Sequence, residues 1–195
     1  RLIREEFGSG VEIRADANGG FTRAEARRFL EKTEEFDLQY VEQPLNPRDL
    51  SGLAELRRVS TTPIAIDEGL FSPSDAIAAI RAGAADVFVI KLIKLGGLHN
   101  ARKVASIAEA AGVTCVVVSP YETDLGSSAN LHLASSSQAF SYACEVGAGV
   151  TAVKLEGISR LQLVQGTIAL PDQPGLGVTV TPEFFTNGAE PGRTA

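Results

Sequence analysis

Three acids and a lysine, Asp16, Glu42, Asp67 and Lys91, follow one another at separations of 26, 25 and 24 residues. Each falls at or near the end of a short β-branched or apolar run: "VEIRAD", "LQYVEQP", "PIAID" and "DVFVIKL". Three carboxylates aimed into one place repel one another unless a cation lies between them. A hard divalent ion meets that need, and all-oxygen ligation completed by water or substrate suits Mg2+ or Mn2+, while the lack of nearby His or Cys argues against Zn2+. A lysine beside a cation, in a site shielded from water, has its ammonium form disfavoured and moves toward general acid or base work. Any one of these acids taken alone reads more simply as a helix cap or loop residue; three in register favour a site. Asn18, in "IRADANGG", is either a turn residue that preorganises the loop after Asp16 or a ligand contact. Lys94 lies three residues beyond Lys91, where strand alternation turns it to the opposite side, so it is a secondary candidate that fixes charge nearby.

Such a constellation needs parallel strands that end together. The apolar runs alternate with amphipathic stretches over 22–36, 49–60, 73–83, 98–112 and 127–138, and the series continues through "VTCVVVSP" to "FSYACEV". Thr22 with Glu25, and Ser72 before Pro73, are helix-start signals. Repeated βα units imply a parallel sheet covered by helices, either doubly wound or closed as a (βα)8 TIM-type barrel. Four functional residues on four successive strand ends favour the barrel, whose C-terminal ends converge on one mouth. Six strands are legible where a closed barrel needs eight, and the chain has no Met even at position 1. The expectation is a partial barrel over 1–195, lacking about two βα units that lie upstream.

Composition excludes other classes. The chain of 195 residues is 44% hydrophobic and 22% charged, which is ordinary for a globular domain, and its formal charge of −6 comes with no basic stripe to track a phosphate backbone. Nucleic acid is not an expected partner. There is no apolar run of spanning length and no secretory leader, so no membrane association is expected and the cytoplasm is the default. Cys115 and Cys144 sit in apolar runs without metal-ligand spacing and read as buried small side chains. "KLGGLHN" reads as a glycine turn between strand and helix more readily than as an anion site, and His99 and His132 as packed or solvated helix residues.

"RADANGG", "VEQPL", "AIDEGL" and "VFVIKLIKLGGL", in this order, resemble the metal-binding and catalytic strand ends of the enolase superfamily, in particular its muconate-lactonizing subgroup. The resemblance continues through "YETDLGSSANLHLA" to "PGLGVTV". It implies that Asp16, Glu42 and Asp67 hold Mg2+ or Mn2+, that Glu68 supports the site beside Asp67, and that Lys91 is one of two acid/base lysines. Glu122 matches the position whose carboxyl group faces the substrate. The implied reaction removes a proton α to the carboxylate of a small-molecule substrate through an enolate, in a homo-oligomeric isomerase. A cycloisomerase like muconate cycloisomerase comes first, then N-acylamino acid racemase and o-succinylbenzoate synthase. Dipeptide epimerase loses weight because "ACEVG" stands where such relatives carry Asp-x-Asp; mandelate-racemase-type members lose it because Lys91 and the His-free "VVVSPYE" replace a His–Asp dyad. The family's Lys-x-Lys strand and its N-terminal capping domain have no counterpart before Asp16. Both are expected upstream; otherwise the chain is an inactive metal-binding fragment.

Overall fold

In the computed structural model, which describes residues 1–119, 121–147 and 156–187, five of the apolar runs become short parallel strands. They are β1 Arg14–Asp16, β2 Tyr40–Glu42, β3 Ile64–Ile66, β4 Val87–Ile90 and β5 Thr114–Val117, paired in that order. Strand order without reversal leaves no topological switch point, so right-handed crossovers put the helices that connect these strands on the same face and the sheet curls as half a barrel. The doubly wound alternative is excluded.

The helices are α1 Leu2–Phe7, α2 Arg23–Thr33, α3 Leu50–Val59, α4 Pro73–Ala82, α5 Leu92–Leu95, α6 Leu98–Ala111 and α7 Asp124–Ala134. α2 starts on the expected capping box, Thr22 with Glu25, and α4 on the Ser72 side chain with Pro73 in its first turn. Replacing Thr22 by Ala removes the acceptor for Glu25 N–H and should cost about 1 kcal/mol, read as a lower urea midpoint at unchanged slope. α7 begins and ends earlier than expected. Thr123 is extended at its N-cap, and the Ser135 and Ser136 hydroxyls take the Leu131 and Leu133 carbonyls at 2.9 and 2.7 Å, which closes the helix. α1 and α5 were not expected: at six and four residues both are under two turns, too short for a periodic signal.

Strand alternation separates two apolar layers. Val41, Ile64, Ile66, Phe88, Ile90, Cys115 and Val117 pack outward against the helices. Tyr40, Ala65, Val87, Val89 and Val116 form the inner face. There Arg14 stacks on the Tyr40 ring at 5.0 Å and reaches Glu145 Oε1 at 3.0 Å, while Tyr40 stacks on Tyr142 at 6.2 Å. "FSYACEV" contributes one parallel bridge, Val118 to Glu145, in place of the expected sixth strand: the Val117 N–H goes to Cys144 Sγ at 3.4 Å, and Arg14 Nη2 donates to the Ala143 carbonyl at 2.8 Å. The later residues form an antiparallel hairpin, Leu163–Val164 with Thr167–Ile168, and a helix Pro182–Asn187; the Leu161 N–H ties them to the Asp124 carboxylate in α7 at 2.7 Å. No helix among the described residues is long and apolar enough to cross a membrane.

Candidate active site

Register decides which side chains share the rim. Asp16 pairs with Glu42, Glu42 with Ala65, and Ala65 with Val87. Asp67 lies two residues past Ala65, and Lys91 two past Val89, so both keep to the inner face at the C-terminal ends of their strands. The four expected residues therefore stand on one side of one rim, above the apolar inner layer. Asp16 is exposed, whereas Glu42 and Asp67 are 6% and 2% exposed.

Burial of that kind is costly for like charges. Desolvation, then the Asp16 and Asp67 carboxylates, push Glu42 up to about 8, with Lys91 opposing them. Asp67 is neutralised on both oxygens: Lys91 donates to Oδ2, and Lys94 donates to Oδ1 and, at 2.6 Å, to the Asp67 carbonyl. One expectation is corrected here. Lys94 does not turn away from Lys91, because the strand stops at Ile90 and α5 coils Lys94 back onto Asp67. Without an ion at the rim, burial works to lower Lys91, but the hydrogen bond and charge of Asp67, with Glu42 and Glu68, raise it overall. Lys94 is the lysine held below its ordinary value, by burial first and with Lys91 repelling it.

The loops orient these groups. Asn18 adopts a left-handed φ of 47° and its N–H reaches Asp16 Oδ1 at 2.9 Å, which is the turn reading of that residue. Gln43, buried and left-handed at φ 36°, was not singled out in the sequence. Its Oε1 accepts from the Asp67 and Gly69 N–H groups, both at 3.1 Å, and its Nε2 donates to the Leu45 carbonyl at 2.8 Å. The signal available was an amide directly after the second acid. Gln43→Leu should orphan two backbone N–H groups and cost about 2 kcal/mol or more, measured by denaturant unfolding.

Glu68 has one buried carboxylate oxygen, Oε2, without a hydrogen-bond partner. Glu122 follows β5, with Oε2 accepting from Ser119 Oγ and from Asn130 Nδ2 at 3.1 Å. Among the described residues no hydrogen bond or ion pair joins it to Asp67 or Lys91. Cys115 and Cys144 are free, and burial pushes Cys115 up to about 12 and Cys144 upward, as befits packed thiols. His99 and His132 lie on α6 and α7, where they line an outer groove of about 850 Å³ away from the rim acids.

Among the described residues no three His, Cys, Asp or Glu side chains are gathered at metal-ligating distance; Asp67 is turned to the lysines. The donor set nevertheless fits a hard divalent ion. Three carboxylates share one rim, and burial among like charges holds Glu42 toward its neutral form, a cost that a divalent ion between the acids would relieve.

A family model described as enolase C-terminal domain-like matches residues 1–184. The chain is 38% identical over 187 residues to an L-Ala-D/L-Glu epimerase of Bacillus subtilis (strain 168), covering 90% of this chain and 48% of that protein. It is 32% identical over 166 residues to muconate cycloisomerase 1 of Rhodococcus opacus, covering 85% and 44%. The solved structure of a dipeptide epimerase from Cytophaga hutchinsonii, complexed with Mg and the dipeptide D-Ala-L-Val, superposes with a TM-score of 0.88 at 28% identity, over 96% of this chain and 51% of that one. The chain spans about half the length of the relatives it matches.

Proposed function

Since this chain belongs to the enolase C-terminal domain-like family, we propose that it carries the divalent-ion ligands and one proton-transferring lysine of an isomerase acting α to a carboxylate. The observation that supports this most is the contact of Lys91, at the end of β4, with Asp67 just past the end of β3. A lysine one hydrogen bond from Asp67 supports reading Lys91 as the proton carrier and Asp67 as one of the ion's ligands. Asp16, Glu42 and Asp67 would hold Mg2+ or Mn2+, which when bound offsets negative charge developing on a substrate carboxylate.

Lys91, raised by its acidic neighbours, is set to deliver a proton as the ammonium and, once it has given that proton up, to take one from the α-carbon. Lys94, bonded to both the carboxylate and the carbonyl of Asp67, holds the loop that carries Asp67. Reversible α-proton transfer on two faces needs a second group opposite Lys91, and the sequence before Asp16 has no Lys-x-Lys to supply it. Coverage of about half of each relative supports reading 1–195 as the C-terminal part of an enolase-like barrel domain. A reducing compartment such as the cytoplasm suits two free thiols, and homo-oligomerisation rests on the family resemblance.

The sequence alone places a muconate-type cycloisomerase first and weighs against dipeptide epimerase. Relatives of both kinds occur, together with N-succinylamino acid racemases. We rank a racemase or epimerase of amino-acid-derived carboxylates first, supported by the higher identity of those relatives; cycloisomerisation comes second. The test is proton exchange in D2O, followed by NMR with the protein as its gene encodes it and Mg2+. Dipeptides, N-succinylamino acids and cis,cis-muconate are compared. Deuterium entering Cα of an amino-acid-derived substrate is expected. Lactone formation alone would favour the second reading, and no reaction with any of the three overturns both.

A further inference from the structure

The outer groove between α6 and α7, about 850 Å³, carries a charge opposite to that of the chain. The formal charge of the whole is −6, yet His99, Arg102, Lys103 and His132 line this groove and no Asp or Glu does. Helical spacing puts the groups together: His99, Lys103 and Ser106 recur at i, i+4 and i+7 along α6, with Leu98 and Arg102 in the adjacent row. Arg102 and Lys103 are exposed and, among the described residues, enter no ion pair. Arg14, Arg23 and Arg57 are by contrast each bound to a carboxylate. Beneath these cations the lining is apolar, from Leu98, Ile107 and Leu133, the last 1% exposed. Ten residues line the groove, too few for a specific protein interface, which takes about 20–30 residues a side. Its volume lies within the range of roughly 300–1,000 Å³ found for small-molecule sites.

We propose that this groove binds a small amphipathic carboxylate. The aliphatic or aryl tail of such an acid covers Leu98, Ile107 and Leu133, which removes apolar surface from water. Its carboxylate meets the Arg102 guanidinium, whose planar fork matches two oxygens, with the Lys103 ammonium beside it. An apolar floor under unpaired cations rejects both an apolar molecule without charge and an anion without a tail, so the two features together set the ligand class. The groove shares no residue with the rim, and its occupancy does not depend on the roles assigned to Lys91 and the three carboxylates.

Octanoate is the probe, titrated into the protein as its gene encodes it. Binding is followed through the imidazole NMR signals of His99 and His132, each identified by its replacement with Gln. Both signals should move saturably, with a dissociation constant of about 1 mM, as befits a ligand of about ten non-hydrogen atoms. Octan-1-ol, which lacks the charge, and acetate, which lacks the tail, should each bind at least about tenfold more weakly. Arg102→Glu combined with Lys103→Glu should weaken octanoate by about tenfold or more, and Ser106→Trp, which fills the groove, should abolish binding. Arg28→Glu, on α2, should leave it unchanged. All four positions are exposed, so their replacement leaves the core intact. Octan-1-ol bound as tightly as octanoate would reduce the groove to an apolar patch, and acetate bound as tightly would reduce it to surface charge; either overturns the proposal. Undiminished binding to the two groove variants also overturns it. So do histidine signals that octanoate leaves in place, the result if another part of the polypeptide or a second copy covers the groove.

Discussion

Lys91→Ala should lower turnover by about 10²- to 10⁴-fold, the range for loss of a positioned acid or base, while a divalent ion still binds. The geometry separates the two outcomes. Lys91 is not part of the all-oxygen donor set, and it engages Asp67 only through Oδ2, with Lys94 on Oδ1. Deleting it removes a proton carrier and one counter-charge but leaves all three carboxylates. Lys91→Arg sharpens the point: it retains positive charge beside Asp67 but does not give up a proton near neutral pH, so it should be nearly as slow as the alanine variant. Steady-state rates for both variants, set beside titration of Mg2+ by calorimetry, check this. Loss of ion binding together with activity in both would show that Lys91 merely holds the acid site together.

The regular elements and the shared rim of the candidate site residues were readable because each reduces to a local rule. Period-two runs ended by an acid specify a strand and the residue at its rim, and that rule places Asp16, Glu42 and Asp67 on one face. What escaped depends on contacts distant in sequence or on single helical turns. Lys94 was assigned to the wrong side because alternation was extended past Ile90, where four residues of α5 reverse the side chain's direction. Gln43 was passed over because its value lies in two backbone N–H groups, on Asp67 and Gly69, 24 and 26 residues away. "FSYACEV" has a strand's composition, but side chains interrupt its ladder: the Cys144 thiol takes the Val117 N–H, and Arg14, 129 residues before Ala143, bonds the Ala143 carbonyl.

Glu42→Gln should raise stability in alkaline solution and abolish tight divalent-ion binding. Glu42 is pushed from its ordinary 4.5 up to about 8, so the fold favours its neutral form. An acid with a raised folded value contributes stability that is complete below the unfolded value and is lost as pH rises through the folded one. Without a divalent ion, the parent chain should therefore lose stability as pH climbs from about 5 to about 9, by a few kcal/mol at most. The side-chain amide that replaces the carboxyl group cannot ionise, and the variant escapes that loss. Thermal unfolding in EDTA should give matching midpoints for the two proteins near pH 4.5, and a higher midpoint for the variant near pH 9. Added Mg2+ should reverse the order: the parent gains stability in proportion to ion occupancy, and the variant, with one anionic ligand fewer, gains little. A parent midpoint flat across this range would mean that Glu42 is not strained by Asp16 and Asp67. A variant that binds Mg2+ as tightly as the parent would remove Glu42 from the ligand set. If both effects appear, the repulsion that weakens the ion-free fold is the same repulsion that makes the rim select a divalent cation, because one buried carboxylate is responsible for each.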